Sequence, residues 1–172
     1  MFKLCSFLLL SSIFILNGCS SQVKRNETAD TTRPVVKALQ NFSIDMSPEA
    51  ELKLSDNVKF DINALESNLE RALKANNLIA PDGDFRLKVT VNDIRVRSTF
   101  NAVMWGFMAG DDHLAGKITV LNLEDKPVYE FEASASYALG GFGGGQDSSR
   151  MNWLYEKFSE LVVNELLQKK NE

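Results

Sequence analysis

A strand-like run near the middle of the sequence changes phase partway along, and this limits the folds that the chain can adopt. From Phe85 to Val91 every second residue is apolar. Ile94 and Val96 then continue the alternation one position out of step. A regular strand cannot shift in this way without exposing its core face. The sequence therefore predicts a β-bulge near Asn92–Asp93 that restores the phase.

The other elements follow from the same kind of pattern. Two further alternating runs, 114–123 and 128–137, flank a short turn and predict a hairpin. Apolar residues at spacings of three and four predict amphipathic helices over 61–76 and 149–169. A weaker alternation makes 35–46 a candidate strand. The resulting order is strand-helix-strand-strand-strand-helix. It predicts an α+β fold, a small and mostly antiparallel sheet with two helices packed on one face.

The first residues have the features of a secretory signal peptide. Lys3 gives a positive start, and residues 4–16 form a nearly continuous apolar run. At roughly 13 residues, this run is shorter than the ~20 residues that a membrane-spanning helix needs. The pattern therefore favours a signal peptide at 1–18 over the alternative of an N-terminal membrane anchor.

The end of this segment, Leu16-Asn17-Gly18-Cys19, resembles the bacterial lipobox. The resemblance implies cleavage before Cys19, diacylglycerol on its sulfur and an acyl chain on its new amino group. The next residue is Ser20. In this position the sequence resembles Gram-negative lipoproteins that are exported to the outer membrane. The other cysteine, Cys5, would leave with the signal peptide. Thiol and disulfide chemistry are then excluded from the mature chain.

The polar residues 20–34 show no periodicity and predict a flexible tether after the lipidated cysteine. Extended at ~3.4 Å per residue, such a tether could hold a domain about 50 Å from the bilayer. Apolar residues make up 44% of the whole chain, a fraction typical of a globular protein. The predicted organisation is a signal peptide at 1–18, the lipidated cysteine and tether at 19–34, and a single α+β domain at 35–172.

Residues 99–112 have no clean period, although they combine large apolar side chains with two glycines. Two interpretations remain open. The segment is a bent continuation of the strands, with its aromatic residues buried under a helix, or it is an exposed loop that docks on a membrane, an envelope protein or a second copy. In the second case Trp105, Phe107 and Met108 are the candidate partner-contact residues, because Trp and Met are over-represented at such contacts.

A glycine-rich stretch precedes the C-terminal helix. Such a loop can bind phosphate through its backbone amides. The Lys-Ser/Thr ending of a P-loop is absent, however, and Asp147 would repel an anion. We interpret the stretch as a flexible connection between strand and helix. Its glycines are Gly140, Gly141, Gly143, Gly144 and Gly145.

The stretch from Trp105 to Gly145 reads WGFMAGDDHLAGKITVLNLEDKPVYEFEASASYALGGFGGG. This combination of a glycine-punctuated apolar segment, a hairpin and a Gly-Gly-rich loop before a helix resembles the domain of unknown function 4410 family of small bacterial lipoproteins. It departs from the family at the turn 124–127, where a glycine is usual. The resemblance implies a fold and an envelope location, and it implies no catalytic residues.

Few residues are available for catalysis. His113 is the only histidine, and with Asp111 and Asp112 it forms the only acid–base cluster in the sequence. Neighbouring side chains diverge on a strand or a turn, so we interpret this cluster as a solvated turn. We therefore expect no enzyme activity, no metal site and no cofactor. The net charge of -4 also gives no general attraction for nucleic acid.

These observations predict a lipoprotein at the periplasmic face of the outer membrane of a Gram-negative bacterium, acting as a non-catalytic binding or accessory module. Its expected partners are the membrane, through lipid on Cys19, and an envelope protein or a second copy of itself. The alternative is an oligomeric accessory lipoprotein for assembly or secretion. A hydrolase or metal-dependent enzyme is the third interpretation.

Overall fold

The structure of the protein, a computed structural model, describes residues 19–25, 33–55, 59–98, 110–138 and 147–169. Its strands and helices are β1 (Ser20–Arg25), β2 (Leu39–Met46), α1 (Pro48–Ser55), α2 (Ile62–Ala75), β3 (Phe85–Arg95), β4 (Asp112–Asn122), β5 (Pro127–Tyr137) and α3 (Asp147–Leu166). The strands form one sheet in the order β1-β5-β4-β3-β2. Only β2 and β3 are parallel among these pairs.

The bulge expected in β3 is confirmed. The register between β3 and β4 shifts between Val91 and Asp93. Beyond the shift, Ile94 lies opposite Leu114, and both side chains are buried. The extra residue therefore returns the apolar side of β3 to the core after the change of phase.

The hairpin expected between the last two strands is also confirmed. β4 ends at Asn122 and β5 begins at Pro127, and the two strands pair antiparallel. The Asn122 side chain accepts backbone hydrogen bonds from Glu124 at 3.0 Å and Lys126 at 2.9 Å. Asp125 has a φ of 60°. An aspartate, which tolerates this left-handed conformation, thus takes a position that suits glycine.

The two long helices pack together over the sheet. Asp61 caps α2, because its carboxylate accepts hydrogen bonds from the backbone of Asn63 at 2.9 Å and Ala64 at 3.3 Å. α3 contacts α2 and lies across β1, β4 and β5. Where it crosses β4, a Cβ added to Gly116 would lie 3.1 Å from the Phe158 ring. Glycine therefore permits the close approach of helix and sheet.

Among the described helices, none has the length and apolar character needed to cross a bilayer.

The predicted order of strands and helices along the chain is wrong, although the α+β class is right. The sheet has five strands and is mixed, and three helices accompany it in the described part of the chain. Residues 49–54, for which the sequence pattern predicted no helix, belong to α1, which Pro48 begins. α1 and α2 together carry the chain from the end of β2 back to the start of β3. This crossover makes the β2–β3 pair parallel instead of antiparallel.

The prediction of a flexible tether over residues 20–34 is also wrong for its first residues. Residues 20–25 form β1, which pairs antiparallel with residues 131–136 of β5. β1 is an edge strand whose side chains are mostly exposed, so no buried face imposes an apolar alternation on it. The partly buried Val23 packs against the core. The folded domain thus begins one residue after Cys19.

Candidate functional site

Cys19 lies at one end of the sheet, directly before β1. Ser20 is opposite Ser136, so Cys19 is beside the end of β5. It is partly buried and forms no disulfide. Burial raises the pKa of Tyr137, the last residue of β5. The sequence-predicted lipidation site is therefore held against the domain.

A buried carboxylate fixes β1 to α3. The side chain of Glu165 is inaccessible to solvent and accepts hydrogen bonds from Arg25 at 2.8 and 2.9 Å and from the Tyr129 hydroxyl at 2.6 Å. Arg33 lies 3.2 Å from the same carboxylate. Burial and the Glu165 hydrogen bond raise the pKa of Tyr129 to about 12. The two arginines flank residues 26–32, so both ends of this connection are held on α3.

This cluster predicts an acid-sensitive contribution to stability. Burial tends to raise the pKa of Glu165, but the hydrogen bonds from Arg25 and Tyr129 and the charge of Arg33 lower it overall. Glu165 therefore stabilises the fold above its unfolded pKa, and this stabilisation is lost as the pH falls through the lower folded pKa.

We expect Glu165→Gln to reduce the free energy of unfolding at pH 7 by about 1.5–3 kcal/mol, the usual contribution of hydrogen bonds to a charged group. The difference from the native protein should shrink below about pH 4.5, the ordinary value for this carboxyl. Urea titrations at a series of pH values measure it. A difference that stays constant down to the acid limit would contradict the lowered pKa.

A second buried cluster lies at the same end of the sheet as Cys19. Asp112 is fully buried between two arginines, Arg97 at 3.0 Å and Arg150 at 2.6 Å. Arg97 also donates to the carbonyl oxygens of Gly110 at 2.7 Å and Tyr137 at 3.1 Å. The cluster thus ties together β4, β5, α3 and the chain that follows β3.

The acid–base cluster of the sequence is dispersed by the fold. The interpretation as a solvated turn is wrong for Asp112, which is buried as the first residue of β4. Asp111 lies 3.8 Å from Arg95. His113 is half-buried, with its Nδ1 2.7 Å from the Ser136 hydroxyl. The three adjacent side chains therefore have different surroundings, as expected for neighbours on a strand.

A cavity of about 470 Å³ lies next to this region. Charged side chains line it, but they lie close to one another: Lys53 is 2.5 Å from Asp93, and His113 is 3.9 Å from the same carboxylate. Arg95 and Asp111 form another pair in the lining. Within the part of the chain that the structure describes, no group of three or more His, Cys, Asp or Glu side chains could hold a metal ion. The cavity therefore offers polar surface of balanced charge.

The remaining candidates lie outside the described residues. They are the partner-contact residues Trp105, Phe107 and Met108 and the loop glycines Gly140, Gly141, Gly143, Gly144 and Gly145. The residues that flank both segments are described, and the connections 99–109 and 139–146 leave β3 and β5 at the end of the sheet where Cys19 lies.

An aromatic pair at this end was missed by the sequence analysis. The rings of Tyr137 and Trp153 lie edge to face, with centroids 5.3 Å apart. Both residues are half-buried, so part of each ring is open to the surroundings. Trp153 lies on the first half of α3, near but outside the apolar stripe that the helical periodicity reveals. The pairing depends on how α3 crosses β5 and has no local signal.

Comparison with protein families gives a match to the family described as "Domain of unknown function (DUF4410)". The match covers residues 25–141, more than half of the chain. No curated protein matches the sequence.

Solved structures show distant similarity. A PelC dodecamer from Paraburkholderia phytofirmans is 14% identical, covers 88% of this chain and 100% of its own, and has a TM-score of 0.48. A minor lipoprotein from Acinetobacter baumannii is 13% identical over 75% of this chain and 93% of its own, with a TM-score of 0.39. Protein XCC0632 from Xanthomonas campestris is 15% identical over 87% and 90%, with a TM-score of 0.40. Similarity at this level does not indicate an activity or a partner for this chain.

Proposed function

The chain belongs to the family described as "Domain of unknown function (DUF4410)", and from that premise we propose that it is a lipid-anchored protein of the bacterial cell envelope. In this proposal it acts as a non-catalytic binding or accessory module at the periplasmic face of the outer membrane. The observation that carries the proposal is the position of Cys19, the lipobox cysteine, at the exact start of the folded domain.

The proposed location rests on the N-terminal sequence. An apolar run ending in Leu16-Asn17-Gly18-Cys19 resembles a lipoprotein signal, and Ser20 in place of Asp favours export to the outer membrane. Two or more lipid chains are enough for stable anchoring. Cys19 is only partly buried at the rim of the sheet, which is compatible with both acylations.

We propose that the protein has no catalytic activity, because the ionisable groups in the described part of the chain interact with other groups of the fold. Asp112 and Glu165 are buried with arginine partners that hold the fold together. Asp111 and His113, at the cavity, lie near other charged side chains or a hydroxyl. A general base needs a reacting group within hydrogen-bond reach, and a serine nucleophile needs an adjacent base. The pairing of these groups within the fold favours a structural role.

The contact surface is proposed at the end of the sheet next to Cys19, where the occupant is the membrane or an envelope protein beside it. The connection that holds Trp105, Phe107 and Met108 leaves and re-enters the sheet there. We keep these three residues as the proposed partner contacts, because Trp and Met are over-represented at such contacts.

Anchoring through Cys19 is tested by Cys19→Ser. We expect this variant to lose fatty-acid label completely and to remain an unprocessed, mislocalised precursor, because the sequence contains no other lipobox cysteine. Metabolic labelling with a fatty acid and membrane fractionation measure both effects. Cys5→Ser is the matched control and should keep label and location. Label retained in Cys19→Ser would refute the proposal.

Self-association is the alternative, and the edge strand β2 favours it. β2 ends the sheet, and its only partner among the described strands is β3, although Leu39 at its start also bridges Ile79. Phe42, Ile44 and Met46 on this strand are partly exposed. An edge of this kind can pair with another strand. Light scattering on the protein from Ser20 onward distinguishes the two: a ring supports the assembly alternative, and a monomer supports the binding module.

A further inference from the structure

The connection between the proposed lipid and the folded domain has almost no length. Ser20 is paired with Ser136, so no free residue separates Cys19 from β1. One residue spans at most about 3.6 Å. A lipid on Cys19 therefore brings this end of the sheet to the bilayer surface, whereas a flexible 15-residue tether would have left it free.

The attachment is also rigid. At its far end, β1 is fixed by the two hydrogen bonds from Arg25 to the buried Glu165. Beside Cys19, the carbonyl oxygen of Tyr137 accepts a hydrogen bond from Arg97 at 3.1 Å. Peeling β1 away would break its pairing with β5 and expose a buried carboxylate, a costly change. The strand therefore cannot serve as a tether in the folded protein.

The side chains next to Cys19 suit a membrane interface. Tyr137 and Trp153 are partly exposed and in edge-to-face contact. Tyrosine and tryptophan are enriched at the headgroup level of membranes, where an apolar ring and a polar tip are both accommodated. The neighbouring charge of Asp112 is buried between two arginines, so it does not oppose contact with lipid.

We propose that the end of the sheet formed by Cys19, Tyr137 and Trp153 is a membrane-seating surface, on which the domain rests at the headgroup level of the bilayer. This inference depends on the proposed lipidation of Cys19. The β4–β5 turn lies at the opposite end of the sheet. It would extend away from the bilayer by roughly 35 Å, the length of an 11-residue strand.

The test compares two tryptophan reporters in the full-length lipidated protein. Trp105→Phe leaves Trp153 as the single tryptophan. The matched control adds Trp153→Phe and Leu123→Trp, which moves the tryptophan to the exposed β4–β5 turn. Both proteins are reconstituted into phosphatidylcholine vesicles with or without brominated acyl chains, and the fatty-acid label is measured on the same samples. Bromine quenches tryptophan fluorescence only at short range.

We expect brominated vesicles to quench the Trp153 reporter several-fold more strongly than the reporter at position 123. Equal quenching of the two, with the fatty-acid label present, would overturn the seating surface while leaving lipidation intact. Missing label on both proteins would instead overturn the proposed lipidation, and the seating surface with it.

Discussion

Asp112→Ala should lower the free energy of unfolding by about 3–5 kcal/mol, because it leaves Arg97 and Arg150 without their shared buried carboxylate. Both guanidinium groups are almost inaccessible to solvent, so water cannot replace the lost partner. The backbone amide of Arg97, which donates to Asp112 at 2.7 Å, would lose its acceptor as well. Urea titration followed by circular dichroism measures the change.

Asp111→Ala is the matched control for this prediction. It removes the adjacent carboxylate, which is partly exposed and 3.8 Å from Arg95. Exposed pairs of this kind contribute at most about 1 kcal/mol. If Asp111→Ala and Asp112→Ala proved equally mild, the buried cluster would not be the structural element that we describe.

Phe158→Ala should cost about 3–5 kcal/mol, since it removes a fully buried ring that packs closely on Gly116 of β4. Leu69→Ala on α2 should cost about 2–5 kcal/mol for the same reason, because its side chain is also fully buried.

His113→Ala is the contrasting variant. This side chain is only half-buried on the face of the sheet away from the core, and we expect a cost below about 1 kcal/mol. The same urea titrations decide the order of the three variants. A larger loss for His113→Ala than for Phe158→Ala would show that the faces of β4 and α3 are wrongly assigned.

The elements with one buried face could be predicted from the sequence. The change of phase after Val91 located the β3 bulge, and the apolar spacings located the two long helices. In each case burial on one side imposes a period on the chain, and that period is visible without any knowledge of distant residues.

The elements held by distant partners could not be predicted in this way. β1 has no buried face of its own, and the residue that fixes it, Glu165, is 140 positions away from Arg25. The direction of β2 depends on the crossover through α1 and α2, not on its own side chains. Asp112 is buried only because Arg97 and Arg150 are brought to it by the fold.

The candidate site could therefore be predicted only in part from the sequence. Cys19 was identified from its local sequence, whereas its position at the rim of the sheet depends on the pairing of β1 with β5. The Tyr137–Trp153 pair and the two buried ionic clusters need contacts between separate elements, for which single-sequence periodicity has no signal.

Hydrogen exchange at the amides of Ser20–Arg25 tests most directly the central claim that Cys19 is joined to the sheet without a tether. The protein is measured in its full-length, lipidated form in detergent. We predict that the hydrogen-bonded amides of β1 exchange far more slowly than those of an unstructured peptide, with protection that approaches the value for residues 131–136 of β5. Exchange across residues 20–25 at the unstructured rate, while β5 remains protected, would contradict the account and restore a flexible tether.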